Sequence, residues 1–350
     1  MSRTPSTDTN ASADDTTRLL GMINANWMAQ AIRCACVLGL PEELAYAPQR
    51  IERLAQATGC DADALHRLLR ALVSIEVCAQ PEPEVFALAP MGELLLDDAP
   101  QSLRAWALLV GGPHWQRWGE LDLSVRTGHS QRRRAGAADG FDYLEGDAAM
   151  AALFHRAMVD LTRRIAPAVV RTITVPEGAR IVDVGGGSGE LLAHLLAAHP
   201  RSSGVLFDLE HALKDAPAVL ERAALGDRCE LVAGSFFDGV PAGGDLYLLK
   251  SVLHNWDDTR CIELLRQCAL AMPRGSRLFA IERLLAERVG QSIQDRSIAR
   301  SDLNMLISLS GRERGRADFE RLFAAAGLTL TTVDAAGADF HVLEISAGER

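Results

Sequence analysis

No run of about 18 or more uncharged apolar residues is present, which excludes a membrane-spanning helix. The opening, MSRTPSTDTNASADDTT, is polar and lacks the apolar core of a secretory signal, so a cytoplasmic protein is expected. Cysteine is sparse, at seven residues in 350. The number is odd, and the one close pair, Cys34 and Cys36, lacks CxxC spacing. Reduced thiols are therefore expected, rather than a disulfide framework or a thiolate metal site. Positive charge is also short: 36 Lys and Arg against 46 Asp and Glu leave a net charge of -10. Such a chain repels phosphate backbones at long range, which counts against nucleic acid as its main partner. No internal repeat is visible, and no clustered His/Asp/Glu ligand set points to a metal.

What is present has the length of about two domains. Residues 1–14 are rich in Ser, Thr, Asp and Asn and are expected to form a disordered tail. Over 15–100, apolar spacing turns helical from Arg18. The block RIERLAQATGCDADALHRLLRALVSIEV reads as two helices broken at Thr58-Gly59, with Asp61 capping the second. EVFALAPMGELL then reads as a short strand pair, completing the outline of a winged helix. That outline invites a DNA-binding reading. However, Leu65, Leu68, Leu69, Leu72 and Val73 give the second helix an apolar face that wants burial, and its basic and amide residues are few.

Residues 101–175 read as a helical connector with Trp106, Trp115 and Trp118. Within it, Gly128–Gly140 lacks apolar periodicity and is expected to be a mobile surface loop, with Arg132, Arg133 and Arg134 solvated. Helix returns at Ala148–Arg171. Over 176–350, short apolar runs (IVDV, GVLFDL, LYLLKS, RLFAIE) alternate with helical stretches. That alternation predicts an α/β Rossmann-like domain, a parallel sheet covered on both faces. LTLTTVDAAGADFHVLEI reads as an antiparallel hairpin at the sheet edge.

IVDVGGGSGELLAHLL is a strand, a glycine turn and a helix, with the pattern D-x-G-x-G-x-G at Asp183, Gly185, Gly187 and Gly189. Such a turn offers bare backbone and a helix N-terminus to a ligand. The dinucleotide pattern G-x-G-x-x-G fails, because Glu190 stands at its last glycine. The next strand ends in Asp208, 23 residues after Gly185 (208 − 185). A carboxylate there either accepts both hydroxyls of a ribose or caps a helix, and the glycine loop favours the ribose. His254 lies just past a strand end, on the side of an open α/β sheet where ligands bind.

The segments VDVGGGSG, VLFDL, AGSFFDGVP, LKSVLHNWDD, the IE of LFAIER, and GRERGRADFERLFAAAGL occur in this order. Together they resemble the S-adenosylmethionine-dependent O-methyltransferases of small molecules. This family includes plant caffeate and isoflavonoid enzymes and bacterial relatives that tailor antibiotics and pigments. The resemblance covers roughly residues 15–345. It implies a mostly parallel seven-stranded sheet with an antiparallel edge hairpin, and an amino-terminal winged-helix domain that forms a homodimer and helps close the partner's substrate pocket. It also implies S-adenosyl-L-methionine as cofactor, with S-adenosyl-L-homocysteine as product, and an aromatic hydroxyl compound as acceptor.

The resemblance further places the cofactor against Gly185, Asp208, Leu209, Gly234, Ser235, Phe236 and Lys250. Plant members usually carry Asp where this chain has Ser235; a hydroxyl there can still meet the adenine edge, without charge. Phe236 is implied to pack on the adenine face, or alternatively in the core. His254 takes the position of the general base, with Glu282 and Glu313 as its carboxylate partners; the alternative for each Glu is an ion pair with Arg283, Arg312 or Arg314. Phe154, Met158, Asn255, Trp256, Asn304 and Met305 are implied to line the acceptor cavity, with ordinary core packing as the alternative. Asn255 stands where many members have Asp. Two other readings remain at this point: a relative that uses the same cofactor for hydroxylation or decarboxylation, and a winged-helix regulator that senses a ligand.

Overall fold

The computed structural model describes residues 12–137, 140–309 and 311–347. The chain divides into two compact units, Met1–Gly112 and Pro113–Arg350. The division falls in the wide turn Val110–His114, where Gly112 leaves helical geometry beside Pro113. The polar opening lies outside the described residues through residue 11. Ser12 caps the first helix, so Ala13 and Asp14 belong to that helix and not to a tail.

The first unit holds helices Ala13–Val37, Leu40–Leu44, Ile51–Thr58 and Ala62–Ser74. It also holds three short strands, β1 (Gln49–Arg50), β2 (Cys78–Glu82) and β3 (Val85–Leu88), antiparallel in the order β1-β3-β2. Gly59 ends one helix in the left-handed conformation, and Asp61 caps the next by accepting from the Ala64 amide. Leu65, Leu69 and Leu72 are buried with Leu54 and Phe86, so the apolar stripe expected to seek burial does so within the unit. Helix Ala13–Val37 leaves a second apolar face, Leu19, Leu20, Met22, Ile23 and Trp27, more than half exposed.

The second unit is built on seven strands: β4 (Arg180–Val184), β5 (Ser203–Asp208), β6 (Cys229–Ala233), β7 (Leu246–Lys250), β8 (Arg277–Arg283), β9 (Leu328–Ala335) and β10 (Phe340–Ala347). Their order is β6-β5-β4-β7-β8-β10-β9. β4 to β8 pair in parallel, and β10 joins β8 and β9 antiparallel. Strand periodicity divides the apolar residues between two layers. Ile181, Leu206, Leu248 and Ile281 pack with Ile165, Val169, Leu192 and Leu196 on one face. Val182, Val205, Leu249 and Ala280 pack with Leu264, Cys268, Phe319 and Phe323 on the other.

EVFALAPMGELL supplies one strand of the expected pair, β3; its partner β2 precedes the segment, and Pro90–Glu93 is helical. Two further details differ from the sequence reading. β6, CELVA, is a short, partly exposed edge strand interrupted by Glu230, and is not among the runs read as strands. The stretch read as a mobile loop contains a short helix, Gln131–Arg134, capped by Ser130. Arg134 ties it down through Ser124 and Glu120. Residues 138 and 139 of that stretch lie outside the described residues.

Candidate active site

The glycine turn follows β4 directly. Gly185, Gly187 and Gly189 all have left-handed φ, at +71°, +59° and +80°. A Cβ on Gly185 would come within 2.9 Å of the Val252 side chain, whereas one on Gly187 would meet nothing within 4 Å. The turn is therefore closed against the protein on one side and presents bare backbone to open space on the other. Asp208, at the tip of β5, braces it: Oδ2 accepts from the Gly187 amide and Oδ1 from the Leu209 amide, both at 2.7 Å. Each oxygen retains a lone pair for a further donor. Burial pushes the Asp208 carboxyl upward, and these two amides oppose the shift.

Gly234 follows β6 and donates to the Asp208 carbonyl. Ser235 Oγ accepts from the Phe237 amide, leaving its own proton free to donate. Phe236 meets Phe237 and Trp256 edge-on, at ring separations of 4.7 and 6.0 Å. Lys250 ends β7, with Nζ donating to Thr162 at 2.9 Å; burial pushes it down to about 8, helped by Arg283. Asp183, 1 % exposed, is pushed up to about 7 by burial and then by Asp208, with Lys250 opposing. Glu190, the carboxylate that broke the dinucleotide pattern, is held by Arg163 at 2.8 Å, with His194 and Arg222 beside it.

His254 sits in a tight turn after β7. Glu282, near the end of β8, accepts the Val252 and Leu253 amides with one oxygen, at 3.0 and 2.8 Å. The GRERG segment clamps the turn from the other side. Arg312 donates its amide to the His254 carbonyl. Arg314, almost fully buried, donates to the carbonyls of Leu253 and Trp256 and pairs with Asp258. A Cβ on Gly311 would lie 2.2 Å from the His254 carbonyl oxygen, so only glycine permits this approach.

Within this frame His254 is 8 % exposed. Its Nδ1 lies 3.1 Å from Glu313 Oε1 and 3.9 Å from Glu282 Oε2. Burial alone lowers an imidazole's proton affinity; here Glu313 and Glu282 overcome it and His254 is raised. Burial raises Glu282, whereas His254, Ser301 and Arg283 outweigh burial and lower Glu313. The alternative ion pairs are mostly absent: Arg312 and Arg314 go to Asp258, and Arg283 stands 3.8 Å from Glu313. His254, Glu282 and Glu313 are also the one His/Cys/Asp/Glu group, among the described residues, whose ligand atoms gather within 4.8 Å. Within the group, Nδ1 faces Glu313 and one Glu282 oxygen is taken up by two backbone amides.

The residues expected to line an acceptor cavity are placed as follows. Trp256 packs edge-on against Phe236 and Phe237, in the turn after β6. Asn255 donates to the Ser251 carbonyl at 3.0 Å, supporting the His254 turn. Phe154 meets Phe141 and His155, and Met158 lies one turn further along the same helix, Ala148–Thr172. Asn304 accepts from Trp118 Nε1, and Met305 is buried beside it in sequence on helix Ile293–Leu309. Sequence reading missed Arg163, Ser301, Asp302 and the structural use of Arg314, because each meets its partner on a separate segment that only the fold brings alongside. Ser301 Oγ donates to Glu313 Oε1 at 2.6 Å, and Asp302 accepts the Glu313 amide at 2.9 Å.

Residues 118–329 match the O-methyltransferase domain family, and residues 20–98 match the O-methyltransferase dimerisation domain. The chain is 36% identical over 330 residues to the phenazine O-methyltransferase PhzM of Lysobacter antibioticus, covering 93% of this chain and 94% of that protein. It is 38% identical over 337 residues to the 3-amino-4-hydroxybenzoate 4-O-methyltransferase of Streptomyces cremeus, covering 93% and 88%. The chain belongs to the S-adenosylmethionine-dependent O-methyltransferase family.

The neocarzinostatin O-methyltransferase NcsB1, solved with S-adenosylmethionine and 2-hydroxy-5-methyl naphthoic acid, superposes with a TM-score of 0.77 at 31% identity, covering 91% of this chain and 95% of that one. This O-methyltransferase carries a site that fits the same cofactor. The Gly187 backbone faces open space, Asp208 keeps lone pairs for a diol, Phe236 and Trp256 offer ring faces and edges, and Lys250 is a half-buried cation. Family membership favours methyl transfer over the hydroxylation and decarboxylation readings.

Proposed function

We propose that this O-methyltransferase methylates a hydroxyl of an aromatic secondary metabolite, with His254 as general base. The observation that carries the proposal is the buried imidazole at the carboxyl end of β7, its Nδ1 on Glu313 and its turn abutting the cofactor loop through Val252 and Gly185. S-adenosylmethionine, when bound, supplies an electrophilic methyl group on a positively charged sulfur. The protein's own task is to hold an acceptor oxygen in line and take its proton.

A phenol with pKa about 10 and an imidazole near 6.5 leave transfer uphill by about 3.5 units, roughly 5 kcal/mol. Glu313 and Glu282 narrow the gap by favouring the imidazolium. Orientation of the reactants supplies about 7–11 kcal/mol in favourable cases, enough to cover the remainder. In this reading Gly185, Asp208, Leu209, Gly234, Ser235, Phe236 and Lys250 hold the cofactor. Phe154, Met158, Trp256, Asn304 and Met305 line the acceptor space, and the Met and Phe side chains suit a flat ring system. Asn255 acts there through the backbone of the His254 turn.

The working form is a homodimer joined through the amino-terminal unit. The exposed stripe Leu19, Leu20, Met22, Ile23 and Trp27 supports this, as does the dimerisation-domain match. We place the enzyme in the cytoplasm, without nucleic acid as a partner. Its net charge of -10 and its unpaired cysteines support that placement, and no helix among the described residues is long and apolar enough to cross a membrane. The test is incubation with S-adenosylmethionine and a panel of hydroxylated phenazines, hydroxybenzoates and naphthoates, read by mass spectrometry. One added methyl per S-adenosylhomocysteine formed is expected; turnover of the cofactor without a methylated acceptor contradicts it.

A further inference from the structure

Glu313 is held at both ends by consecutive residues of helix Ile293–Leu309. Ser301 donates to its carboxylate, and Asp302 accepts its amide. The oxygen that Ser301 meets, Oε1, is the oxygen that faces His254 Nδ1. One turn further along, the same helix carries Asn304 and Met305, on the face shared with Ser301.

We propose that Ser301 is a positioning residue that sets the strength of His254 as a base by sharing the Glu313 oxygen that stabilises the imidazolium. A carboxylate oxygen divided between two donors gives each less than it would give one. Ser301 thus holds Glu313 in place and restrains how tightly His254 keeps its proton. An imidazole left alone with the carboxylate would hold the proton longer and fill with protons at higher pH. The other charged groups facing this pair are Glu282 and Arg283 from β8, with Asp302 on the Glu313 amide; replacing Ser301 alters none of them. The helix that carries Asn304 and Met305 would then also tune the base.

This proposal rests on the reading of His254 as general base, and two readouts separate the two. The His254 imidazole resonance, identified by its loss in His254→Gln, is titrated by NMR in wild type, Ser301→Ala, Ser301→Cys and Ser301→Thr. The acid limb of kcat/KM is measured in parallel. Ala and the weak donor Cys are expected to raise the imidazole midpoint by about half a unit or more, the limb moving with it, because part of the strength of a hydrogen bond to a charged group differs between the protonation states of His254. Thr, which keeps the hydroxyl, is expected to stay at the wild-type midpoint. A folded Ala or Cys variant with an unmoved imidazole midpoint overturns the proposal. A shifted imidazole with an unmoved rate limb keeps Ser301 in its role and overturns the assignment of His254 as base.

Discussion

His254 Nδ1 lies 3.1 Å from Glu313 Oε1, while Glu282 approaches the same nitrogen only to 3.9 Å and spends its other oxygen on two backbone amides. The two carboxylates therefore divide the work. Glu313 orients the ring, and Glu282 folds the turn that carries it.

That division predicts different failures. Glu282→Ala strands two buried amides, each costing about 1–3 kcal/mol. At about 2–4 °C per kcal/mol for a unit of this size, a melting loss of roughly 4 °C or more is expected by calorimetry. Glu313→Ala is expected to lower kcat by about ten- to a hundredfold, through loss of ring orientation, at the scale of a lost positioning partner. An unchanged melting temperature in Glu282→Ala, with a large loss of kcat, would reverse the two roles.

The pH dependence follows from the direction of the His254 shift. Its folded-state proton affinity is raised by Glu313 and Glu282 against the effect of burial. The acid limb of kcat/KM is expected above the ordinary imidazole value of about 6.5. For stability the sign is fixed: a raised imidazole stabilises the folded state below about pH 6.5, and the contribution fades as pH climbs through the folded-state value. The melting temperature of wild type relative to His254→Gln should therefore fall with rising pH across that window. A flat difference contradicts it.

Much of this was legible in the sequence because it is local. The glycine turn, the strand ending at Asp208, the Asp61 cap and the strand-helix alternation each follow from spacing within a short window. The same spacing could not show that Glu190 meets Arg163, or that Arg314 binds the carbonyls of Leu253 and Trp256, since these pairs are made only when the sheet brings distant segments together. Glu190 was visible as an anomaly, a carboxylate at a helix start that excluded pyrophosphate; its partner was not. Short polar helices fail for a related reason: Gln131–Arg134 has no apolar stripe and is held by its Ser130 cap and the contacts of Arg134.

Asp208→Ala is expected to weaken S-adenosylmethionine binding by about 1.5–3 kcal/mol, the scale of hydrogen bonds to a charged group. The Gly187 amide also loses its acceptor, so the loop should become more open to proteolysis or hydrogen exchange. Isothermal calorimetry checks the first effect; unchanged affinity would leave Asp208 as a loop brace only.

Asp183 carries an unusual load, a buried carboxyl pushed up to about 7. A folded-state value above the unfolded one of about 3.9 means that ionisation costs stability, progressively from about pH 4 to about pH 7. Asp183→Asn removes that cost, so its melting temperature relative to wild type should rise across the same interval. A constant offset would mean that Lys250 already neutralises the charge.

The most direct test of the central claim is the rate penalty of His254→Gln measured across phenols of graded acidity, with cofactor affinity measured alongside. For a phenol of pKa about 10 the loss is expected to be about 10²–10⁴-fold, shrinking steadily as the acceptor ionises by itself near neutrality, with cofactor affinity unchanged. A penalty equal for all acceptors, or none for the least acidic, would contradict His254 as the group that takes the proton.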